Sequence, residues 1–442
     1  MKRVTSQLRR GWLRKCLVCQ CMVIFNEIMK NNFNKYLLTL LSGSVVAQAL
    51  PVAITPILTR IYTPEDFGVL AIFMAISLTL GSIASARYEL AILLPVKDDD
   101  ALIIAKLGTL ISVILSSSVL VVVFFWGERI AILLGSPSIA DWLYLTPVMI
   151  ISIGLYNCLN YLSTRKELYK NIAYSNITKS VAISSGQLMF SFAKPIFNGL
   201  IIGQVIGNIV ANVNLFKTVK DNYNYKPTKL TKLIALLKRY RRFPLVSVWS
   251  ILANNLSTHL VNVIISSMYS LSTLGYFTFT QKILGLPTSI IGNSIGQVYF
   301  QQAAIEKKNK GTAWETYKTT FIKLFCISIV FFLPLLFVVE DLFSFVFGKE
   351  WRVAGQYAQI LIPFFAIRFI ATALSTTNSL FEKQYLSLVW QILLLIFNVG
   401  IMYYGFLTDL ELINLLYYMS IVNFVHYSAL IVITIQVSRG KL

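Results

Sequence analysis

The chain has 442 residues, 56% of them apolar and only 13% charged. A soluble domain of that length needs far more charge to cover its surface, so the soluble globular class is excluded. The formal net charge of +20 invites a nucleic-acid partner, but the positions of the basic residues, set out below, assign them to membrane topology.

Residues 1–28 place basic side chains ahead of a short apolar stretch, Cys16 to Phe25. That stretch is too short to span a bilayer and lacks a small-residue cleavage site, so it is not read as a signal peptide. Two readings stay open: an over-extended start with Met29 as the true one, or an interfacial helix. Cys16, Cys19 and Cys21 have no second ligand pair or nearby His, so neither a metal nor any other cofactor is expected. Cys158 and Cys326 fall within apolar runs, and a disulfide framework is not indicated.

Twelve apolar runs of helical length follow, at 37–59, 67–86, 101–126, 139–163, 172–193, 196–216, 244–268, 273–300, 319–339, 355–378, 386–407 and 412–436. They are continuous rather than alternating, which argues for helices over a β-barrel. With the N-terminus in the cytoplasm, cytoplasmic loops hold 29 of the 39 Lys and Arg residues and the outer loops hold 5. That bias fixes both termini inside, and it accounts for the basic charge together with attraction to anionic lipid.

The longest polar stretch, 217–243, divides the spans six and six. Leu230, Leu233, Ile234, Leu236 and Leu237 recur there beside Lys229, Lys232 and Lys238, the pattern of an amphipathic helix on a membrane surface. Ile61-Tyr62 with Phe67-Gly68 matches Met268-Tyr269 with Leu274-Gly275 at a constant offset of 207 residues. An even number of spans separates the copies, so the repeats are parallel about an axis along the membrane normal. The expected fold is all-α: a cytoplasmic segment 1–36, a six-helix bundle 37–216, the basic linker 217–243, a second six-helix bundle 244–436 and a tail 437–442. A pseudo-two-fold relates the bundles.

The only full charges deep in these spans are Lys179, Lys282 and Arg368; no Asp or Glu lies deep in any of them. A charge at that depth is costly and usually faces a bundle interior or a wet cavity. An all-cationic interior suits an anionic passenger, and the planar fork of Arg368 suits phosphate or carboxylate. Asn176 shares a face with Lys179, while Lys282 lies on a stripe with Gly285, Ser289, Gly292, Asn293 and Gly296. Polar lining is also expected from Gln48 in the first span and from Asn255 and His259 in the seventh. His259 and His426 are read either as proton carriers or as residues hydrogen-bonded to a neighbour. Gly199, Gly203 and Gly207 form a packing ridge. Asp98-Asp99-Asp100 contains a DxD pattern, but it opens a helix, where acids complement the dipole. No paired acids, phosphate loop or Ser/His/Asp set appears, and the loop at Glu340–Ala354, read as a surface helix, is too short for a catalytic domain. An enzyme is therefore not expected.

Two segments carry a resemblance. LTRIYTPEDFGVLAIF (Leu58–Phe73) with RYELAILLP (Arg87–Pro95), and LGYFTFTQKILGLPTSIIGNSIGQVYFQQAA (Leu274–Ala304), resemble Wzx-type O-antigen and exopolysaccharide flippases. These lie within the multidrug/oligosaccharidyl-lipid/polysaccharide exporter superfamily. The resemblance implies movement of an undecaprenyl-diphosphate-linked oligosaccharide across the bacterial inner membrane by alternating access. A cationic cavity would hold the diphosphate, with Lys179, Lys282 and Arg368 around it and Arg87 at its cytoplasmic mouth, unless Arg87 is an anchor paired with Glu89. Implied partners are membrane lipids, a polysaccharide polymerase and a chain-length regulator. The rivals are a cation-coupled multidrug exporter, a lipid II flippase, and an integral-membrane polymerase or glycosyltransferase.

Overall fold

A computed structural model describes residues 32–193, 198–223 and 230–441, all in helices, turns and short connections. The readings made for residues 1–28, Lys194 and Lys229 lie outside the described residues.

The helices are α1 (Asn32–Ile61), α2 (Pro64–Gly81), α3 (Asp98–Leu133), α4 (Thr146–Arg165), α5 (Tyr169–Met189), α6 (Gly199–Asn222) and α7 (Leu230–Arg239). They continue with α8 (Val248–Met268), α9 (Leu271–Pro287), α10 (Asn293–Lys310), α11 (Trp314–Phe347), α12 (Arg352–Leu374), α13 (Gln384–Leu407) and α14 (Leu412–Ser438). Among the described residues, 7 are long and apolar enough to cross a membrane, and 8 if Pro137–Leu143 and Thr146–Arg165, bent by 51°, make one span. Besides the short α7, outside that set stand α1, α5, α8 and the α9–α10 pair. These are the helices that carry Gln48, Lys179, His259 and Lys282.

Packing follows the same pattern in both parts of the chain. α1 packs on α5, α5 on α6, and α4 on both α3 and α6; likewise α8 packs on α13, α13 on α14, and α12 on both α11 and α14. The two parts meet most extensively between α2 and α9. Each of these helices starts from a matching cap. Thr63 accepts from the Asp66 N–H and Asp66 accepts in return from the Thr63 N–H at 2.8 Å, a capping box with Pro64 in the first turn. Ser270, 207 residues on, accepts from the Thr273 N–H. The contact is reciprocal. A Cβ on Gly68 would run into the Leu271 carbonyl, and one on Gly275 into the Pro64 carbonyl. Only glycine permits that approach of backbones.

Trp351 closes the same end. It is fully buried, its ring centroid lies 5.0 Å from that of Phe67 and 4.3 Å from that of Phe279, and its Nε1 donates to the Thr59 carbonyl at 3.0 Å. The reading of Glu340–Ala354 as a surface helix is therefore corrected: α11 runs on to Phe347, and a short 3-10 turn, Lys349–Trp351, folds inward. The glycine ridge does pack closely. Cβ atoms on Gly203 and Gly207 would lie 2.8 Å from the Ile183 carbonyl and 2.9 Å from the Lys179 carbonyl of α5.

The linker helix α7 is more than a surface float. Leu236 is buried and the Leu237 carbonyl accepts from the Tyr88 hydroxyl at 3.1 Å. Lys232 pairs with Asp100 at the start of α3, so α7 is docked on the linker end of the first part of the chain.

The span read as 67–86 needs a second correction. α2 stops at Gly81, and 82–94 runs in turns packed inside the fold, with Ala84, Ser85, Ala91 and Ile92 fully buried. Hydropathy measures burial, and here burial continues beyond the helix.

Candidate functional site

A cavity of about 1000 Å³ lies in the linker-end half of the molecule. Gln48 of α1 faces Ser289, Asn293, Gln297 and Gln301 across it, with Thr372 at the end of α12 and Thr376 just beyond it completing the wall. The wall on the α9–α10 side is built around a break. After Pro287 the chain passes through a π-helical turn, Thr288–Gly292, before α10 begins. Such turns free backbone groups and often mark functional positions. Gly292 and Gly296 face α12, where added Cβ atoms would lie 3.6 Å from the Phe369 ring and 3.0 Å from the Ala373 carbonyl. Among the described residues, no charged side chain lines the cavity.

The cations stand elsewhere. Lys179 on α5 sets its Nζ 5.1 Å from the Tyr156 ring centroid, and the Tyr156 hydroxyl donates to Asn176 Oδ1 at 2.5 Å. Asn176, Lys179 and Tyr156 thus form one cluster. On α12 the Arg368 guanidinium lies 5.3 Å from the Phe365 ring and 5.7 Å from that of Phe364. Aromatic faces give partial compensation to a cation held away from water. Lys282 on α9 keeps an exposed side chain. Among the described residues, none of these three cations has an ion pair. Of the residues named from the sequence, Gln48 and Asn293 line the cavity, as do Ser289, Gly292 and Gly296 of the Lys282 stripe, whereas Lys179, Lys282, Arg368, Arg87, Asn176, Asn255 and His259 are not among its described lining residues.

Arg87 sits in the unwound segment after α2. It adopts left-handed backbone geometry, φ 62° and ψ 14°, directly after Ala86 at φ 49°. Its guanidinium pairs with Glu89 at 3.0 Å, and the other carboxylate oxygen of Glu89 accepts from the Ser85 hydroxyl. Glu89 is only 1% exposed. The expectation concerned acids deep in the spans; Glu89 is a buried carboxylate outside them, in the 3-10 turn Tyr88–Leu93. A visible clue was the Arg-x-Glu pair flanked by apolar residues on both sides.

The remaining polar groups divide cleanly. The Asn255 Nδ2 donates to the Ser82 hydroxyl at 2.8 Å and joins the two parts of the chain. His259 is half-buried and has no hydrogen-bond partner among the described residues. His426 stacks on Trp390 with ring centroids 4.7 Å apart, and its Nε2 lies 3.1 Å from the Trp390 carbonyl. The DxD acids are engaged: Asp98 by Arg165 at 2.9 Å and by Lys166, and Asp100 by Lys232.

Comparison with known proteins places this geometry in a family. The profile of the family described as polysaccharide biosynthesis protein matches residues 57–356. A curated relative, the succinoglycan biosynthesis transport protein ExoT of Rhizobium meliloti (strain 1021), is 22% identical over 319 residues. The match takes in 69% of this chain, which spans about 60% of that relative's length. Among solved structures, a lipid II flippase MurJ in an inward closed conformation superposes with a TM-score of 0.68 at 14% identity, covering 92% of this chain and 90% of MurJ. An inward-facing multidrug resistance MATE family transporter of the MOP superfamily gives 0.60 at 15% identity, covering 91% and 93%. A MOP superfamily transporter from Pyrococcus furiosus, titled for the reverse polarity of its binding pocket, gives 0.58 at 14%, covering 94% and 98%. The chain is a multi-pass membrane protein that belongs to the polysaccharide biosynthesis protein family, with the fold of the MOP superfamily.

Proposed function

We propose that the protein is a flippase that carries an undecaprenyl-diphosphate-linked oligosaccharide from the cytoplasmic to the periplasmic leaflet of a bacterial inner membrane. The observation that carries this reading is the set of three helix-borne cations, Lys179, Lys282 and Arg368, which have no acid partner among the described residues. An unmatched cation in a bilayer is retained when a transient anion matches it. A diphosphate supplies that anion, and it engages both halves of the chain because Lys179 belongs to the first and Lys282 and Arg368 to the second. Twelve spans in two six-helix bundles, 37–216 and 244–436, fit the repeated packing and the reciprocal glycine seats. Both termini are cytoplasmic by the basic-residue bias. The protein is a transporter and performs no chemistry on the sugar. A polymerase and a chain-length regulator act downstream.

An organic-cation exporter needs an unmatched buried acid. Glu89, the buried acid among the described residues, is already matched by Arg87. The anionic passenger therefore fits better.

The test is complementation of a strain lacking the transporter. Arg368→Ala and Lys282→Ala are each expected to cut surface polysaccharide by about tenfold or more, the scale of one lost charge-assisted hydrogen bond. Immunoblotting of membranes controls for insertion. Wild-type polymer from both variants overturns the cationic-site reading.

A further inference from the structure

The cavity wall carries a pattern that the diphosphate does not use. Ser289, Asn293, Gln297 and Gln301 recur every four residues and all face the cavity. From Asn293 to Gln301 the stripe runs about 12 Å along α10. Asn293 donates its amide to the Ser289 carbonyl at 3.0 Å, which leaves its Oδ1 turned outward. Gln297 and Gln301, and Gln48 on the opposite wall, have no hydrogen-bond partner among the described residues. Unpartnered amides are poorly tolerated against lipid and add nothing to helix association, so their place is against water or a polar ligand.

The chemistry of the wall selects that ligand. A primary amide offers two donors and a two-lone-pair acceptor, so it meets a hydroxyl in either role and carries no charge to be desolvated. Phe300, 40% exposed, presents an aromatic ring to the same cavity. A flat apolar face beside a row of amides complements a pyranose, which has one C–H-rich face and a rim of hydroxyls. Phosphate and carboxylate gain little here, since no cation among the described residues lines the wall.

We propose that the α10 amide stripe, with Gln48 opposite, is a saccharide subsite that holds neutral, hydroxyl-rich sugars of the substrate, separate from the groups that hold its diphosphate. The proposal rests on the flippase reading. It divides recognition in two: cations for the lipid-linked diphosphate and amides for the glycan.

The test uses the full chain in nanodiscs and two probes: the oligosaccharide released by mild acid from the host's own lipid-linked pool, and inorganic pyrophosphate. Binding is read by saturation-transfer difference NMR and calorimetry. The triple variant N293A/Q297A/Q301A is expected to weaken oligosaccharide binding by about tenfold or more while pyrophosphate binding stays within about twofold, the scale of a few neutral hydrogen bonds lost. Arg368→Ala is expected to show the opposite split. If the triple variant does not fold, Gln297→Ala and Gln301→Ala, at exposed positions, are measured singly in its place. Unaltered oligosaccharide binding in the amide variants, or none in the wild type, overturns the subsite. A failure of the flippase reading looks different: oligosaccharide is bound through the amides, yet pyrophosphate binding is absent.

Discussion

Removing the guanidinium of Arg87 tests how the unwound segment after α2 is held. Glu89 is 1% exposed, and its side chain meets Arg87 at 3.0 Å and the Ser85 hydroxyl. In Arg87→Ala the carboxyl group keeps only the hydroxyl. Breaking a fully buried pair costs about 3–5 kcal/mol. The Arg87 side chain is 22% exposed, so screening brings the expected loss to the low end, about 3 kcal/mol. Glu89→Gln keeps the volume and the Ser85 contact and leaves the cation partly in water, for a loss of about 1 kcal/mol. Arg87 also sits at φ 62°, where a side chain costs about 1–2 kcal/mol that glycine does not. Arg87→Gly is therefore expected to be more stable than Arg87→Ala, although it removes more atoms. The assay is thermal unfolding of detergent-solubilised protein followed by tryptophan fluorescence at one scan rate. The expected order is wild type, Glu89→Gln, Arg87→Gly, Arg87→Ala. Arg87→Ala matching wild type refutes the buried-pair argument, and Arg87→Gly falling below Arg87→Ala refutes the backbone argument.

Two further outcomes bear on the closed end. Gly68→Ala and Gly275→Ala each drive a methyl into a facing backbone carbonyl and are expected to cost about 1–3 kcal/mol, whereas Gly400→Ala, with open space around its Cβ, is tolerated; thermal midpoints compare the three. Trp351→Ala is expected to lose about 3–5 kcal/mol of packing and Trp351→Phe about 1 kcal/mol, for the bond to the Thr59 carbonyl. Equal losses from the two would mean that the hydrogen bond, rather than the ring, holds this end shut.

The sequence carried the membrane class and the family, because continuous apolar runs and the two quoted segments are properties of the chain itself, and the residues at the 207-residue offset meet as matching caps and glycine seats. The Gly68 and Gly275 seats show how few residues such a repeat has to keep: a cap, a turn and one glycine in each copy. The location of burial was less legible. Trp351 and Glu89 both lie in turns, and a turn's depth depends on what the rest of the chain packs around it. The amide stripe was half visible. Asn293 and Gln48 were named as lining, but Gln297 and Gln301 fall near the end of an apolar run, where polar residues are expected in any case. Their shared direction emerges only once the π-helical turn at Thr288–Gly292 sets the phase of α10.

The contacts between the two parts of the chain are unevenly distributed, and that constrains how they can move. At the Thr63/Ser270 end, backbone meets backbone at Gly68 and Gly275. There Trp351 bonds to Thr59, and the Ser266 hydroxyl donates to the Leu134 carbonyl at 2.9 Å. Toward the linker end, the Asn255–Ser82 hydrogen bond joins the two parts. No side-chain rotation can part glycine seats, since they have no side chain to turn. Opening the Thr63/Ser270 end therefore requires α2 and α9 to separate, parting Trp351 from Phe67 and from the Thr59 carbonyl while Phe279 and Tyr276 stay beside it. On the proposed flippase reading, the same movement would bring α1 toward α10 and close the amide-lined cavity, and its polar groups would exchange a ligand for one another or for water. For the proposed saccharide subsite, an amide stripe suits that demand better than a charged one, because amides can pair with amides once a sugar leaves.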